Sequence, residues 1–266
     1  MPIAEGLHIL MLMDCYTHVF PSQGEHLLQE LARAGVSHAL VMIIPSNMTM
    51  TGAGEYVLDI NDTTLARIAD DNCRLGNWAK GVGPHLFPFA WLDYRMQGTA
   101  SFFEELVTRY HFKGLKIHQV FNGPADERYF ELVDKAVALQ VPVTIHTGFR
   151  APARVENIGT LAARFPQGRF ICSHLLEEFG LNAKSDYLRL ADHYDNVWFE
   201  CSYVRHPRKL QEFAQAIGAH RILFGSDFPF GARDIEWDLT KVGWAAIGSD
   251  EREKILWENA AALFGL

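Results

Sequence analysis

The sequence lacks the features that mark several large classes of protein. Its 266 residues include only four cysteines, and no two of them are spaced as a CxxC pair. A disulfide framework and a cysteine-rich metal site are therefore not expected. No apolar run is long enough to span a bilayer, and the first residues lack the basic flank of a signal peptide. We expect a cytoplasmic protein with no membrane partner.

The chain also has no excess of positive charge. Lysines and arginines number 24 against 32 aspartates and glutamates, which gives a net charge of −8. That balance argues against nucleic acid or an anionic membrane as the main partner. No GxGxxG stretch follows the first predicted strand and no P-loop is present, so the commonest nucleotide sites are not indicated. The expected partner is a small molecule, most simply an acidic one bound in a local basic pocket.

The sequence does contain a regular alternation of short apolar runs and amphipathic segments, which predicts eight strands and eight or nine helices. Eight strand–helix repeats indicate a parallel sheet and are typical of a (β/α)8 barrel, with a doubly wound open sheet as the alternative. We predict one domain over residues 1–266, with residues 1–10 as a loose extension. The predicted strands are His8–Met13, His38–Ile44, Leu86–Leu92, Lys113–His118, Val141–His146, Arg169–His174, Asn196–Cys201 and Arg221–Phe224.

Ionisable side chains recur where the predicted strands end. In a barrel the carboxyl ends of all strands meet at one mouth, where barrel active sites lie. One histidine at such a place is more often a hydrogen-bonded structural residue, but four histidines and an aspartate at one mouth favour an active site. The residues are His18, His118, His146, His174, Glu200 and Asp227.

A short motif near the N-terminus connects these residues to a known family. Asp14, Tyr16 and His18 alternate, so they share one face of an extended chain. With Phe20-Pro21 they resemble the Asp-x-His-x-His-x-x-Pro opening of the amidohydrolase superfamily, in particular its amidohydrolase-2 branch. Further motifs of that branch follow in the same order over essentially the whole chain. They are GLKIH (114–118), PVTIHTG (142–148), Ser173-His174, FGSDFP (224–229) and the C-terminal stretch 258–266.

The resemblance implies a (β/α)8 barrel enzyme from a branch that contains hydrolases, lactonases, hydratases and non-oxidative decarboxylases. It also implies that His18, His146 and Asp227 bind one divalent metal. His174 would be a fourth ligand or a catalytic group, and Asp227 would also take a proton from the attacking water. Imidazoles and a carboxylate suit Zn²⁺, the expected ion, or Mn²⁺, and three protein ligands leave a position for water.

One position departs from the family pattern. Tyr16 stands where the family has its first histidine, and a phenol with a pKa near 10 is a poor ligand unless a cation lowers that pKa. Three interpretations follow: a metal held by fewer protein ligands, a site that works by acid–base chemistry without metal, or a non-catalytic relative. The last would be a binding or regulatory protein.

Several further residues are candidates for binding substrate. Lys116 and His118 share one strand face, while Arg150 and Arg205 follow strands five and seven and could hold an anion by paired hydrogen bonds. Each could equally be a structural or solvated charge. Tyr16 is the fifth candidate, because it shares a face with His18.

We expect metal-assisted hydrolysis of a small carboxylated or cyclic substrate, such as a lactone or amide, with Asp227 as base and His174 beside it. Non-oxidative decarboxylation of an aromatic or unsaturated acid in the same site is the alternative. The family resemblance also suggests a homodimer.

Overall fold

The computed structural model describes residues 11–20, 22–52, 56–82, 85–148, 153–175, 183–231 and 234–266. The predicted extension at residues 1–10 lies outside them. The described strands are β1 (Met13–Val19), β2 (His38–Ile43), β3 (Thr49–Met50), β4 (Tyr56–Val57), β5 (Leu86–Trp91), β6 (Gly114–His118), β7 (Val143–His146), β8 (Phe170–Ser173), β9 (Val197–Glu200) and β10 (Ile222–Leu223).

The helices of the described chain alternate with these strands. Two of them run on through π turns, at Ala214–Gly218 and at Lys254–Glu258. The helices are α1 (Gly24–Arg33), α2 (Asp62–Val82), α3 (Thr99–Tyr110), α4 (Gln119–Asn122), α5 (Phe130–Ala138), α6 (Glu156–Arg164), α7 (Lys184–His193), α8 (Pro207–Phe213), α9 (Ile235–Trp244), α10 (Ser249–Glu253) and α11 (Asn259–Phe264).

Eight of the strands form one parallel barrel, in the order β1-β2-β5-β6-β7-β8-β9-β10. The barrel closes where the segment after β10 reaches β1. Cys15 donates its backbone N–H to the carbonyl of Phe224 over 2.9 Å, and His18 donates to Phe228 over 2.7 Å. The predicted (β/α)8 barrel is therefore confirmed, while β3 and β4 pair only with each other.

Met11 and Leu12 precede the first barrel strand, which begins at Met13, and residues 8–10 of the predicted strand lie outside the described residues. The sequence suggested a strand at His8–Met13 with the Asp14–His18 motif after it, but the motif lies inside β1. Buried polar residues are tolerated there because Asp14 accepts hydrogen bonds through Oδ1 from the backbone of Tyr16 and of Ser226, over 3.1 and 3.0 Å. The pairing register between β1 and β2 shifts between Asp14 and Thr17, so the strand is irregular where these hydrogen bonds form.

Apolar side chains fill the barrel beneath the motif. They form a cluster of buried residues separate from the larger core between the strands and the surrounding helices. Tyr16 belongs to this inner cluster and carries a polar hydroxyl group at its edge. The inner cluster includes Met13, Leu40, Met42, Phe89, Ile171 and Leu223.

The helices pack an apolar stripe against the barrel. In α1, Leu27 and Leu31 are one turn apart and buried, while most of the other residues of the helix are polar. No helix among the described residues combines the length and the apolar character that crossing a membrane requires.

Candidate active site

Four predicted residues meet at the carboxyl ends of the strands. His18 lies near the end of β1, His146 ends β7, His174 follows β8, and Asp227 follows β10. The structure brings them together in two pairs. His18 Nε2 lies 3.3 Å from Asp227 Oδ1, and His174 Nε2 lies 3.1 Å from His146 Nδ1.

The backbone holds two of these residues in an uncommon conformation. His174 has φ 66° and Asp227 has φ 54°, in the left-handed region that most residues avoid. Asp227 is fixed there because its N–H donates to the carbonyl of Tyr16 over 2.8 Å, while its own carbonyl accepts from Phe230 and Gly231. Such strain is often found at functional sites.

His174 is also fixed through its side chain. Its Nδ1 lies 2.6 Å from Ser202 Oγ and 3.6 Å from Glu200 Oε2, and Ser202 Oγ in turn donates to Glu200 over 2.9 Å. Glu200 and Ser202 are both buried. The ring of His174 is thus held between His146 on one side and a buried carboxyl–hydroxyl pair on the other.

Tyr16 and Lys116 lie between the two pairs. Lys116 Nζ donates to the phenol oxygen of Tyr16 in a close contact. The Tyr16 ring centroid is 5.2 Å from that of His18 and 4.8 Å from that of His174, so Tyr16 contacts one member of each pair. The prediction that Tyr16 and His18 share one face is confirmed by this geometry.

Burial sets the protonation of these groups. It lowers the pKa of His118, His146 and His174 well below the usual value, which favours neutral imidazoles. Burial also lowers the pKa of Lys116 to about 7, although Asp227 and Glu200 act in the opposite direction. It raises the pKa of Glu200 to about 8. The site therefore contains groups that can gain or lose a proton near neutral pH.

The other predicted substrate-binding residues lie around this centre. His118 ends β6 and stacks on His146 with ring centroids 4.0 Å apart, and on Trp91 at 4.9 Å. Arg205 is exposed, with its guanidinium 5.9 Å from the ring centroid of Tyr203. Arg150 lies outside the described residues. A substrate-binding role for the three stays a prediction.

Tyr203 is a site residue that the sequence analysis missed. Its hydroxyl group hydrogen-bonds to Asp227, and burial together with that carboxylate raises the pKa of Tyr203. Its ring also packs edge-on against that of His174, with centroids 4.9 Å apart. Its position in the sequence could have identified it, because it lies three residues after Glu200, which ends β9 at the same barrel mouth as the histidines.

The predicted metal centre is not formed by the described residues. Among them, no three histidine, cysteine, aspartate or glutamate side chains are arranged to share one ion. The four proposed ligands face each other in two pairs, and the ring of Tyr16, whose phenol oxygen accepts from Lys116, packs against one histidine of each pair. These residues do not fit a divalent metal as they are arranged.

Comparison with known proteins agrees with this architecture. A family model described as amidohydrolase matches residues 13–266. The chain belongs to this amidohydrolase family. No curated protein matches the sequence.

Solved structures with the same fold include members of this amidohydrolase group and decarboxylases. A 5-carboxyvanillate decarboxylase from Sphingomonas paucimobilis is 15% identical with a TM-score of 0.70, covering 97% of this chain and 99% of its own. A dihydroxybenzoic acid decarboxylase from Polaromonas sp. JS666, solved with manganese and the inhibitor 2-nitroresorcinol, is 15% identical with a TM-score of 0.71 and coverages of 96% and 97%. An amidohydrolase II structure is 13% identical with a TM-score of 0.74 and coverages of 96% and 100%. At these identities the likeness shows the fold.

Proposed function

We propose that this amidohydrolase-family chain hydrolyses a small carboxylated lactone or amide by acid–base chemistry. Asp227 acts as the general base, His18 orients it, and Lys116 binds negative charge on the substrate. The observation that carries the proposal is the buried contact of 3.3 Å between His18 Nε2 and Asp227 Oδ1 at the barrel mouth. A carboxylate held by an imidazole at a barrel mouth is suited to taking a proton from water.

The reaction needs only water and these residues. Water gives a proton to the Asp227 carboxylate while its oxygen attacks the acyl carbon. The bond from that carbon to the leaving oxygen or nitrogen then breaks, and the leaving atom takes the proton back from Asp227. The His18 ring, 3.3 Å from Asp227 Oδ1, and the Tyr203 hydroxyl group, which hydrogen-bonds to Asp227, keep the carboxylate oriented through these steps.

The positive charge in the site selects the substrate class. Lys116 is fully buried, and its amino group contacts the hydroxyl group and the ring of Tyr16. In its ammonium form it stabilises a substrate carboxylate or the oxyanion that develops during attack. A small anionic substrate is therefore part of the proposal, as the sequence analysis expected.

The zinc or manganese ion that the sequence predicted is not used in this scheme. Its proposed ligands stand in two separate pairs, so no step is routed through a metal. The manganese named for the Polaromonas enzyme is a property of that protein.

Decarboxylation of an aromatic acid is the second candidate. It is favoured by the rings of Trp91, His118 and His146, which stack face to face beside the candidate site and give it an aromatic side. Two of the similar structures are decarboxylases of such acids. In that reaction the same site would hold the carboxylate and deliver a proton to the ring carbon as CO2 leaves.

Isotope incorporation separates the two candidates. The protein is incubated with a panel of lactones, amides and aromatic acids in H2¹⁸O, with the gas phase sampled for CO2. We expect one ¹⁸O atom in the product carboxylate and no CO2. Release of CO2 without ¹⁸O in the product would favour decarboxylation. The matched control is Asp134→Asn, which removes an exposed carboxylate on α5 and should turn over like the parent.

A further inference from the structure

A lysine–tyrosine pair fills the centre of the candidate site. Lys116 comes from β6 and Tyr16 from β1, and both side chains are completely buried. The Lys116 amino group donates to the phenol oxygen and also lies 4.2 Å from the centroid of the phenol ring. Two residues 100 positions apart thus form one unit inside the barrel mouth.

This unit lies among all four predicted metal ligands. The Tyr16 ring contacts the rings of His18 and His174, and its carbonyl accepts the N–H of Asp227. The charge of Lys116 acts on the rings of His146 and His174. The acidic side chains of Asp227 and Glu200 favour the charged form of Lys116. The Lys116–Tyr16 unit therefore contacts, or acts electrostatically on, each of the four predicted ligands.

An ammonium group and a divalent ion cannot share one position. In its protonated form the Lys116 amino group has three N–H donors and no lone pair, so it cannot act as a ligand. At separations of a few ångströms in a poorly solvated site, its charge strongly repels a second cation. The phenol of Tyr16 does not compensate, since it accepts a hydrogen bond from Lys116 instead of offering its oxygen to an ion.

We propose that Lys116, held in place by Tyr16, replaces the divalent metal of the site and excludes it. Lys116 belongs to a motif that this chain shares with the branch, so the tyrosine in place of the first histidine is the change that holds its amino group here. This inference rests on the proposed function only for the identity of the anion that Lys116 binds. The exclusion of metal concerns the protein without substrate.

Metal content tests the coupling directly. Wild type, Tyr16→His, Lys116→Met and the double variant are loaded with Zn²⁺ or Mn²⁺, desalted and analysed for metal by mass spectrometry. We expect essentially no metal in wild type, little in either single variant, and about one ion per chain in the double variant, because only there is the histidine present and the charge gone. The increase in bound metal in the double variant should exceed the sum of the increases in the two single variants.

Two controls keep the test decisive. Lys113→Met removes an exposed lysine three residues before Lys116 and should behave as wild type. Circular dichroism establishes that each variant is folded. If the double variant does not fold, wild type and Lys113→Met alone are melted with and without each metal, and neither should gain thermal stability.

Three results would overturn the inference. They are one ion per chain in wild type, one ion in Tyr16→His with Lys116 intact, or none in a folded double variant. Because no substrate is used, a failed hydrolysis assay and a failed metal assay are distinguishable.

Discussion

Asp14 is a completely buried carboxyl group beneath the candidate site. One of its oxygens accepts from the backbone N–H groups of Tyr16 and Ser226, while Oδ2 has no hydrogen-bond partner among the described residues. Burial raises the pKa of Asp14 from 3.8 to about 8, mainly because the charged form is desolvated. The folded protein therefore holds this proton at pH values where the unfolded chain has lost it.

The sign and size of the effect on stability follow from this shift. Holding Asp14 protonated stabilises the folded protein, and this stabilisation is complete below pH 3.8 and is lost as pH rises to about 8. Each pH unit inside that window removes about 1.4 kcal/mol, so the change from pH 5 to pH 7 is about 2.5 kcal/mol. Asp14→Asn has no proton to lose, and its free energy of unfolding should not follow this slope.

Urea unfolding at pH 5, 6 and 7 measures the difference between wild type and Asp14→Asn. The variant should be within about 1 kcal/mol of wild type at pH 5 and gain about 2.5 kcal/mol relative to it by pH 7. Taking the difference removes the contributions of other titrating groups, such as Glu200. Asp134→Asn, on the exposed side of α5, should show no such gain. A difference for Asp14→Asn that is constant with pH would refute the reasoning.

Two further predictions concern the support of the site. Tyr203→Phe removes the hydroxyl group that hydrogen-bonds to Asp227. We expect kcat to fall about tenfold with a smaller change in KM. An unchanged kcat in steady-state kinetics would exclude an orienting role for Tyr203. Gly225→Ala would place a methyl group against the Glu200 carboxylate and should lower the free energy of unfolding by about 1–3 kcal/mol. The matched Gly52→Ala, where the methyl group meets nothing within 4 Å, should change it by less than about 1 kcal/mol; equal effects in urea melts would contradict the packing argument.

The sequence was sufficient for the barrel and for the meeting of the histidines. Strand–helix alternation determines a parallel barrel, and a parallel barrel brings every strand end to one mouth. That is why His18 and His174 could be placed together although 156 positions separate them in the chain. The predicted position of β1 was wrong because polar residues inside a buried strand depend on hydrogen-bond partners, such as Ser226, that the hydrophobic pattern does not reveal.

The contacts inside the site could not be predicted from sequence. Lys116 was predicted as a candidate substrate-binding residue on a strand face, but its contact with Tyr16 was not predicted because it depends on the register of two distant strands. The pairing of His18 with Asp227, and of His146 with His174, depends in the same way on side-chain directions. The metal prediction assumed that four converging ligands share one point, and it took no account of what lies between them.

Turnover by Asp227→Asn tests the central claim most directly. Asparagine suits the positive φ of this position and keeps the shape of the side chain, so the fold should be retained. With a substrate from the isotope experiment, kcat should fall roughly 10²- to 10⁴-fold while the free energy of unfolding changes by less than about 1 kcal/mol. A folded Asp227→Asn protein that hydrolyses the substrate at the rate of wild type would contradict the account.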